Sequence, residues 1–134
     1  MTKMNPVVHF EMAAKDGKRM AEFYTKVFGW QTQQLGEEFG GYILASTTET
    51  DENGMIKDPG RINGGFYQKM DDPAMNHPSV VIAVDDLNES MEKIKNNGGK
   101  VIGEVQDIPG IGNYISFFDT EGNRVGMLQP VAMQ

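Results

Sequence analysis

The stretch VVHFEMAAKDGKRMAEFYTKVFGW, residues 7–30, contains a whole strand, turn and helix. In an extended strand, residues two apart share a face. His9 and Glu11 therefore project one way, and Val8, Phe10 and Met12 the other. The strand is expected over residues 6–14. Asp16-Gly17 then marks a turn, with Asp16 placed to cap a helix. From Lys18 to Phe28 the apolar positions Met20, Phe23, Tyr24, Val27 and Phe28 return at helical spacing. Gly29 supplies the stop. Phe23, Tyr24 and Phe28 are expected to pack the helix against a sheet.

Downstream, Trp30 to Leu35 and Tyr42 to Thr48 have strand character, with Glu37 to Gly41 as the turn between them. Residues 49–61, ETDENGMIKDPGR, form a polar loop rich in chain breakers. INGGFYQK, residues 62–69, is a fourth strand, whose glycines suggest close backbone approach. MDDPAMNHP, residues 70–78, is a linker. The order then repeats. SVVIAV is a strand, and DDL opens a helix to about Asn97 with Leu87, Met91 and Ile94 on its apolar face. Gly98-Gly99 ends that helix. KVIGEV, NYISFFD and RVGMLQP supply three more strands, and Glu121-Gly122-Asn123 makes a tight turn.

Both halves thus read strand–helix–strand–strand–strand, the pattern of an internal duplication. An offset of 70 residues carries Asp16 to Asp86, Tyr24 to Ile94 and Gly29 to Gly99. For the last strands an offset of 63 carries Arg61 to Arg124 and Asn63 to Gly126.

The whole chain bounds what such a fold could do. Its 134 residues suit one domain with a real core. A net charge of −7 argues against nucleic acid as a partner, since binding it needs a basic surface. With no cysteine there is no disulfide, thiolate metal site or cysteine nucleophile, which fits the cytoplasm. No apolar run has the length of a signal peptide or a membrane span.

The opening stretch resembles the vicinal oxygen chelate superfamily, which includes glyoxalase I, extradiol dioxygenases and bleomycin-resistance proteins. The marks are a strand histidine, an aspartate opening the helix, FY within it and FGW at its end. VDDLNESMEKIKNNGGKV and FFDTEGNRVGMLQP resemble the second-module helix and closing hairpin of that family. The resemblance covers about residues 6–130. It implies an α+β fold of two βαβββ modules, about residues 6–70 and 77–130, in a half-open eight-stranded mixed sheet around a cleft. Phe10, Met12, Tyr24, Val80, Ile82, Met91 and Ile94 would then be buried between helix and sheet. It also implies a homodimer.

Metal-dependent relatives place His, Gln or Glu ligands on the first and last strand of each module. Carried over, those positions are His9, about Asn63, Ser79 and Gly126, where Gly126 stands at the place of the usual closing glutamate. A divalent metal generally needs about three protein ligands from His, Asp, Glu or Cys, and only His9 is a good one. Glu11 and His77 could be invoked as substitutes, and His77 sits before Pro78 in the linker. The expectation is a protein without a divalent metal that binds a small organic molecule. The alternative is a glyoxalase-type lyase, isomerase or dioxygenase using a metal near His9, or His9 as a base. The ligand cleft would be lined by His9, Glu11, Trp30, Tyr42, Asn63, Ser79, Val81, Tyr114, Gly126 and Leu128. Phe39, Phe66, Tyr67 and Phe117 are further candidates for aromatic walls, whereas Met4, Met55, Met70 and Met133 are expected outside.

Overall fold

The computed structural model describes residues 3–131. Among the described residues there are eight strands of mixed direction and two α-helices, the α+β composition expected. They fall into two compact units, residues 9–78 and residues 3–8 with 79–131. Among the described residues no helix is long and apolar enough to cross a membrane.

The first unit carries most of β1 (Val7–Ala14), then α1 (Gly17–Phe28), β2 (Gln31–Gln34), β3 (Ile43–Ser46) and β4 (Asn63–Gln68). Its sheet order is β2-β3-β4-β1, with β1 and β4 parallel and the other pairs antiparallel. Asp16 caps α1 by accepting from Arg19 N at 3.1 Å. Gly29 ends it with φ at 73°, a left-handed conformation that glycine adopts without strain. This cap turns the chain so that Trp30 N bonds Tyr24 O at 3.4 Å. The indole then stacks on Tyr24, ring centroids 4.6 Å apart, and meets Phe10 and Phe66.

Phe66 is 1% exposed and centres the core with Ala14, Ile43 and Ala45, covered by Phe10, Met12, Met20, Ala21 and Tyr24. The stripe of α1 that meets the sheet is therefore Met20, Ala21 and Tyr24. Phe23 and Phe28 were expected there but are 54% and 62% exposed. They flank the stripe, because a helix buries one face of limited width: Phe23 meets Tyr24 edge-on, and Phe28 stacks on Tyr24 and tilts against Trp30.

The second unit contains β5 (Ser79–Ala83), α2 (Leu87–Asn96), β6 (Lys100–Ile108), β7 (Gly112–Phe118) and β8 (Arg124–Pro130). The order is β5-β8-β7-β6, with β5 and β8 parallel. Val84, Leu87, Ile115 and Met127 form its core, with Ile82, Met91, Ile94, Val101 and Phe117 packed on it. Asp86 caps α2 through Glu89 N at 3.1 Å. Residues 3–8 join this unit, where Pro6 O accepts from Ala83 N at 2.9 Å. Val80 departs from expectation: it is 38% exposed although its neighbours Ile82 and Val84 pack under the helix. Met4, Met55 and Met70 are exposed as expected, and Met133 lies outside the described residues.

The strand register corrects the superposition of the last strands. Glu11 faces Gly65 and Val81 faces Gly126. Since Glu11 and Val81 are equivalent at an offset of 70, Gly65 is the counterpart of Gly126, an offset of 61 rather than 63. Asn63 is accordingly the counterpart of Arg124. A slip of two residues keeps every side chain on its face, so the faces inferred from sequence survive the error.

Candidate functional site

Alternation along the strands leaves a polar face opposite the helix in each unit. In the first, β1 contributes His9, Glu11 and Ala13, and β4 contributes Asn63, Gly65 and Tyr67. Glu11 is 6% exposed, and the Tyr42 hydroxyl donates to its Oε2 at 2.9 Å. His9 Nε2 lies 3.4 Å from the same hydroxyl. Both bonds form together when the hydroxyl hydrogen goes to Glu11 and the imidazole carries its proton on Nε2. A buried carboxylate, a phenol and an imidazole are thereby joined in one chain.

Burial holds the His9 pKa below its ordinary 6.5, and the nearby Glu11 charge opposes this only in part. The imidazole is therefore neutral at neutral pH. The unfolded chain takes up the His9 proton as pH falls through 6.5, before the folded chain does. Stability from this group is thus full above 6.5 and declines as pH falls toward the lower folded value. Urea melts at pH 7.5 and 5.5 should show a smaller loss in His9→Gln than in the wild type. Equal losses would contradict this.

Asn63 is not turned to a ligand. Its Oδ1 accepts from Thr47 N at 2.8 Å and Thr48 N at 3.1 Å, while Thr47 Oγ1 donates to Ile62 O at 2.6 Å. These bonds clamp the base of loop 49–61. The Tyr67 hydroxyl is engaged with the carbonyl of Met75. Trp30, expected on this face, belongs to the helix side of the sheet. So do Phe66 and, in the second unit, Phe117. Phe39 is 42% exposed at the end of a short 3-10 turn.

In the second unit the polar face carries Ser79, Val81 and Ala83 from β5, Tyr114 and Ser116 from β7, and Arg124, Gly126 and Leu128 from β8. Arg124 is its centre. Its Nη2 donates to Ser116 Oγ at 2.9 Å and to the Tyr114 hydroxyl at 3.1 Å, and its Nη1 to Ser79 Oγ at 3.4 Å. Sequence reasoning missed Arg124 and Ser116 as site residues. The available signal was position, since both alternate onto the face that carries Tyr114 and Gly126. His77 is exposed just before β5.

The two faces share one device. A Cβ built on Gly65 would overlap the Tyr42 phenol. One built on Gly126 would lie 2.6 Å from the Tyr114 hydroxyl and 2.8 Å from a ring carbon. In each unit a tyrosine lies across the glycine of the last strand, in the space a side chain there would take.

The family model described as Glyoxalase/Bleomycin resistance protein/Dioxygenase superfamily matches residues 7–127. The chain belongs to that superfamily. A glyoxylase-like domain-containing protein of Didymella fabae is 34% identical over 116 residues, 84% of each chain. A putative glyoxylase, CFP32, of Mycobacterium tuberculosis is 37% identical over 59 residues, 44% of this chain and 23% of that protein's length. Among solved structures, a methylmalonyl-CoA epimerase in complex with methylmalonyl-CoA and NH4+ aligns with a TM-score of 0.68. It is 16% identical, covering 98% of this chain and 99% of the other. A hypothetical protein from Bacillus halodurans aligns at 0.67 with 14% identity, over 98% and 99% of the two chains. At such identities the structures show the fold, and the superfamily's paired βαβββ topology is what they share with this chain.

The register sharpens which residues stand at the superfamily's metal positions. With Gly65 as the counterpart of Gly126, the four positions that the resemblance implies for metal ligands become His9 and Gly65 in the first module, Ser79 and Gly126 in the second. Among the described residues no group of three or more His, Cys, Asp or Glu side chains is arranged to hold an ion. Three of the four positions offer no His, Asp, Glu or Cys side chain, and tyrosine rings cover both glycines. This donor set does not fit a divalent metal held in the manner of the metal-dependent members.

Proposed function

We propose that this superfamily member binds a small organic molecule without a divalent metal, on the polar sheet faces opposite its helices. The observation that carries the reading is the tyrosine laid over the last-strand glycine in each module. It replaces a position for an ionic ligand with a phenol, whose ring offers apolar surface and whose hydroxyl offers a hydrogen bond. Ala13, Val81, Ala83 and Leu128 add small or apolar ground beside polar groups, the mixture that suits an organic ligand. A screen of small organic compounds by protein NMR is expected to give saturable shifts at amides on these strands, unaltered by a chelator. Binding that vanishes on chelation and returns with added metal would contradict the proposal.

A second reading is a proton-transfer enzyme, favoured by the Glu11, Tyr42 and His9 chain. The Glu11 carboxylate can take a proton from a bound carbon acid and return it to the carbanion so formed, while the Tyr42 hydroxyl, itself bonded to the His9 imidazole, holds the carboxylate in place. The readings separate in D2O: a pure binder returns its ligand without deuterium, while an enzyme of this kind labels it. We also propose a homodimer, since β2 and β6 end their sheets and strand edges need cover. A light-scattering mass of twice 14.9 kDa is expected, and a mass at 14.9 kDa would count against it.

A further inference from the structure

We infer that Asn53 is a site of spontaneous modification, where the side-chain amide is lost through a cyclic imide closed by the backbone nitrogen of Gly54. Such loss favours asparagine followed by glycine, because that nitrogen must reach the side-chain carbonyl and a Cβ beside it would obstruct the approach. Three pairs of this kind occur: Asn53-Gly54, Asn63-Gly64 and Asn97-Gly98. The fold separates them. Asn63 lies in β4 between two paired strands, and Gly64 is buried. Its Oδ1 is held by Thr47 N and Thr48 N. Asn97 is as open to solvent as Asn53, so exposure does not decide between these two. Its Nδ2, however, donates to Lys93 O at 2.7 Å, which ties the carboxamide to the end of α2. The Asn53 carboxamide makes no hydrogen bond among the described residues, and only the backbone N of that residue is held, by Asp51 Oδ1 at 2.8 Å. Gly54 N bonds Asp51 O at 3.0 Å in an exposed turn at the tip of loop 49–61. A turn of that kind opens locally without disturbing a sheet, and the Asn63 clamp at the base of the loop stays closed when it does.

The chemistry needs only water. Gly54 N gives up its proton and attacks the Asn53 side-chain carbon. A carbon–nitrogen bond forms there, and the bond to the amide nitrogen breaks, so that ammonia leaves with the proton. Water then opens the five-membered imide at one carbonyl or the other. One opening yields aspartate, and the other yields isoaspartate, with an extra methylene in the backbone. Either product adds a negative charge to a loop that already carries Glu49, Asp51, Glu52 and Asp58. Isoaspartate also lengthens the path from Asp51 to Met55, whose N now bonds Asp51 Oδ1 at 3.0 Å. Conversion therefore alters the tip of the loop and leaves β4 as it is.

Peptide mapping tests the inference, because trypsin places the three asparagines on separate fragments, 27–57, 62–69 and 96–100. The intact protein would be incubated at mildly alkaline pH, sampled over days, digested at acidic pH and sequenced by tandem mass spectrometry. The mass gain of amide-to-acid conversion should grow at Asn53 about fivefold or more faster than at Asn97, the scale of one net hydrogen bond. Asn63 should be slower still. In a chain kept unfolded by urea the three rates should converge, since only the fold distinguishes them. Asn53→Gln should abolish the signal on fragment 27–57 and leave the other two unchanged. Conversion at Asn97 or Asn63 as fast as at Asn53 in the folded protein would overturn the inference. So would the same spread of rates in urea, which would assign the difference to sequence rather than to structure. An unchanged Asn53 over a period in which the unfolded chain converts would overturn it as well.

Discussion

Phe66→Ala should lower the unfolding free energy by about 3–5 kcal/mol, the range for removing a buried aromatic ring. Phe66 is the one large side chain among the described residues under 2% exposed. Tyr24 and Trp30 press on it from the helix side, with ring centroids 5.6 and 6.4 Å away. None of these rings can fill the void without leaving its other partners, since Tyr24 and Trp30 are stacked on each other. Domains are stable by only about 5–15 kcal/mol, so this single change removes a large share. Urea melts of Phe66→Ala and Phe66→Leu measure it, and the leucine variant should lose much less. A loss below about 1 kcal/mol for the alanine variant would show that the first module is not built around this ring.

Gly126→Val is the second large effect, at about 1–3 kcal/mol of destabilisation from overpacking. A side chain there must displace the Tyr114 ring, and displacement breaks the hydroxyl's bonds to Ser116 and Arg124. Tyr114→Ala in the same chain should recover part of the loss, so that the two changes are not additive. Gly126→Val as stable as the wild type, or strictly additive variants, would mean that glycine and tyrosine are not a coupled pair. No backbone strain enters, because Gly126 is not among the glycines with positive φ.

Much of this fold was legible because its signals are local. Asp16, Asp86 and Gly29 are caps whose geometry depends on a few neighbouring atoms, and each does what its sequence context implies. The period-two alternation that set His9 and Glu11 apart from Phe10 and Met12 needed only the strand itself. What could not be read depends on distant partners. Trp30 was assigned to the polar face, but the left-handed cap at Gly29 folds it onto Tyr24. Arg124 looked like any surface charge until β5 and β7 brought three hydroxyls to it. The pairing of Gly65 with Gly126 was two residues out, since a parallel register is fixed by hydrogen bonds between strands far apart in sequence.

The expectation about metal also changes in kind. From sequence, Gly126 stands where the resemblance would place the closing glutamate. In the folded chain that space is taken by Tyr114, and the corresponding space in the first module by Tyr42. A carboxylate at either position would meet a phenol already bonded to its neighbours.

Elemental analysis tests this account most directly. The protein would be expressed in medium supplemented with zinc, nickel, iron, cobalt and manganese, purified without chelator, and assayed for metal per chain. The expected result is far below one ion per chain, unchanged in His9→Ala. About one ion per chain, lost in His9→Ala, would contradict it and would place Glu11 or His77 among the ligands.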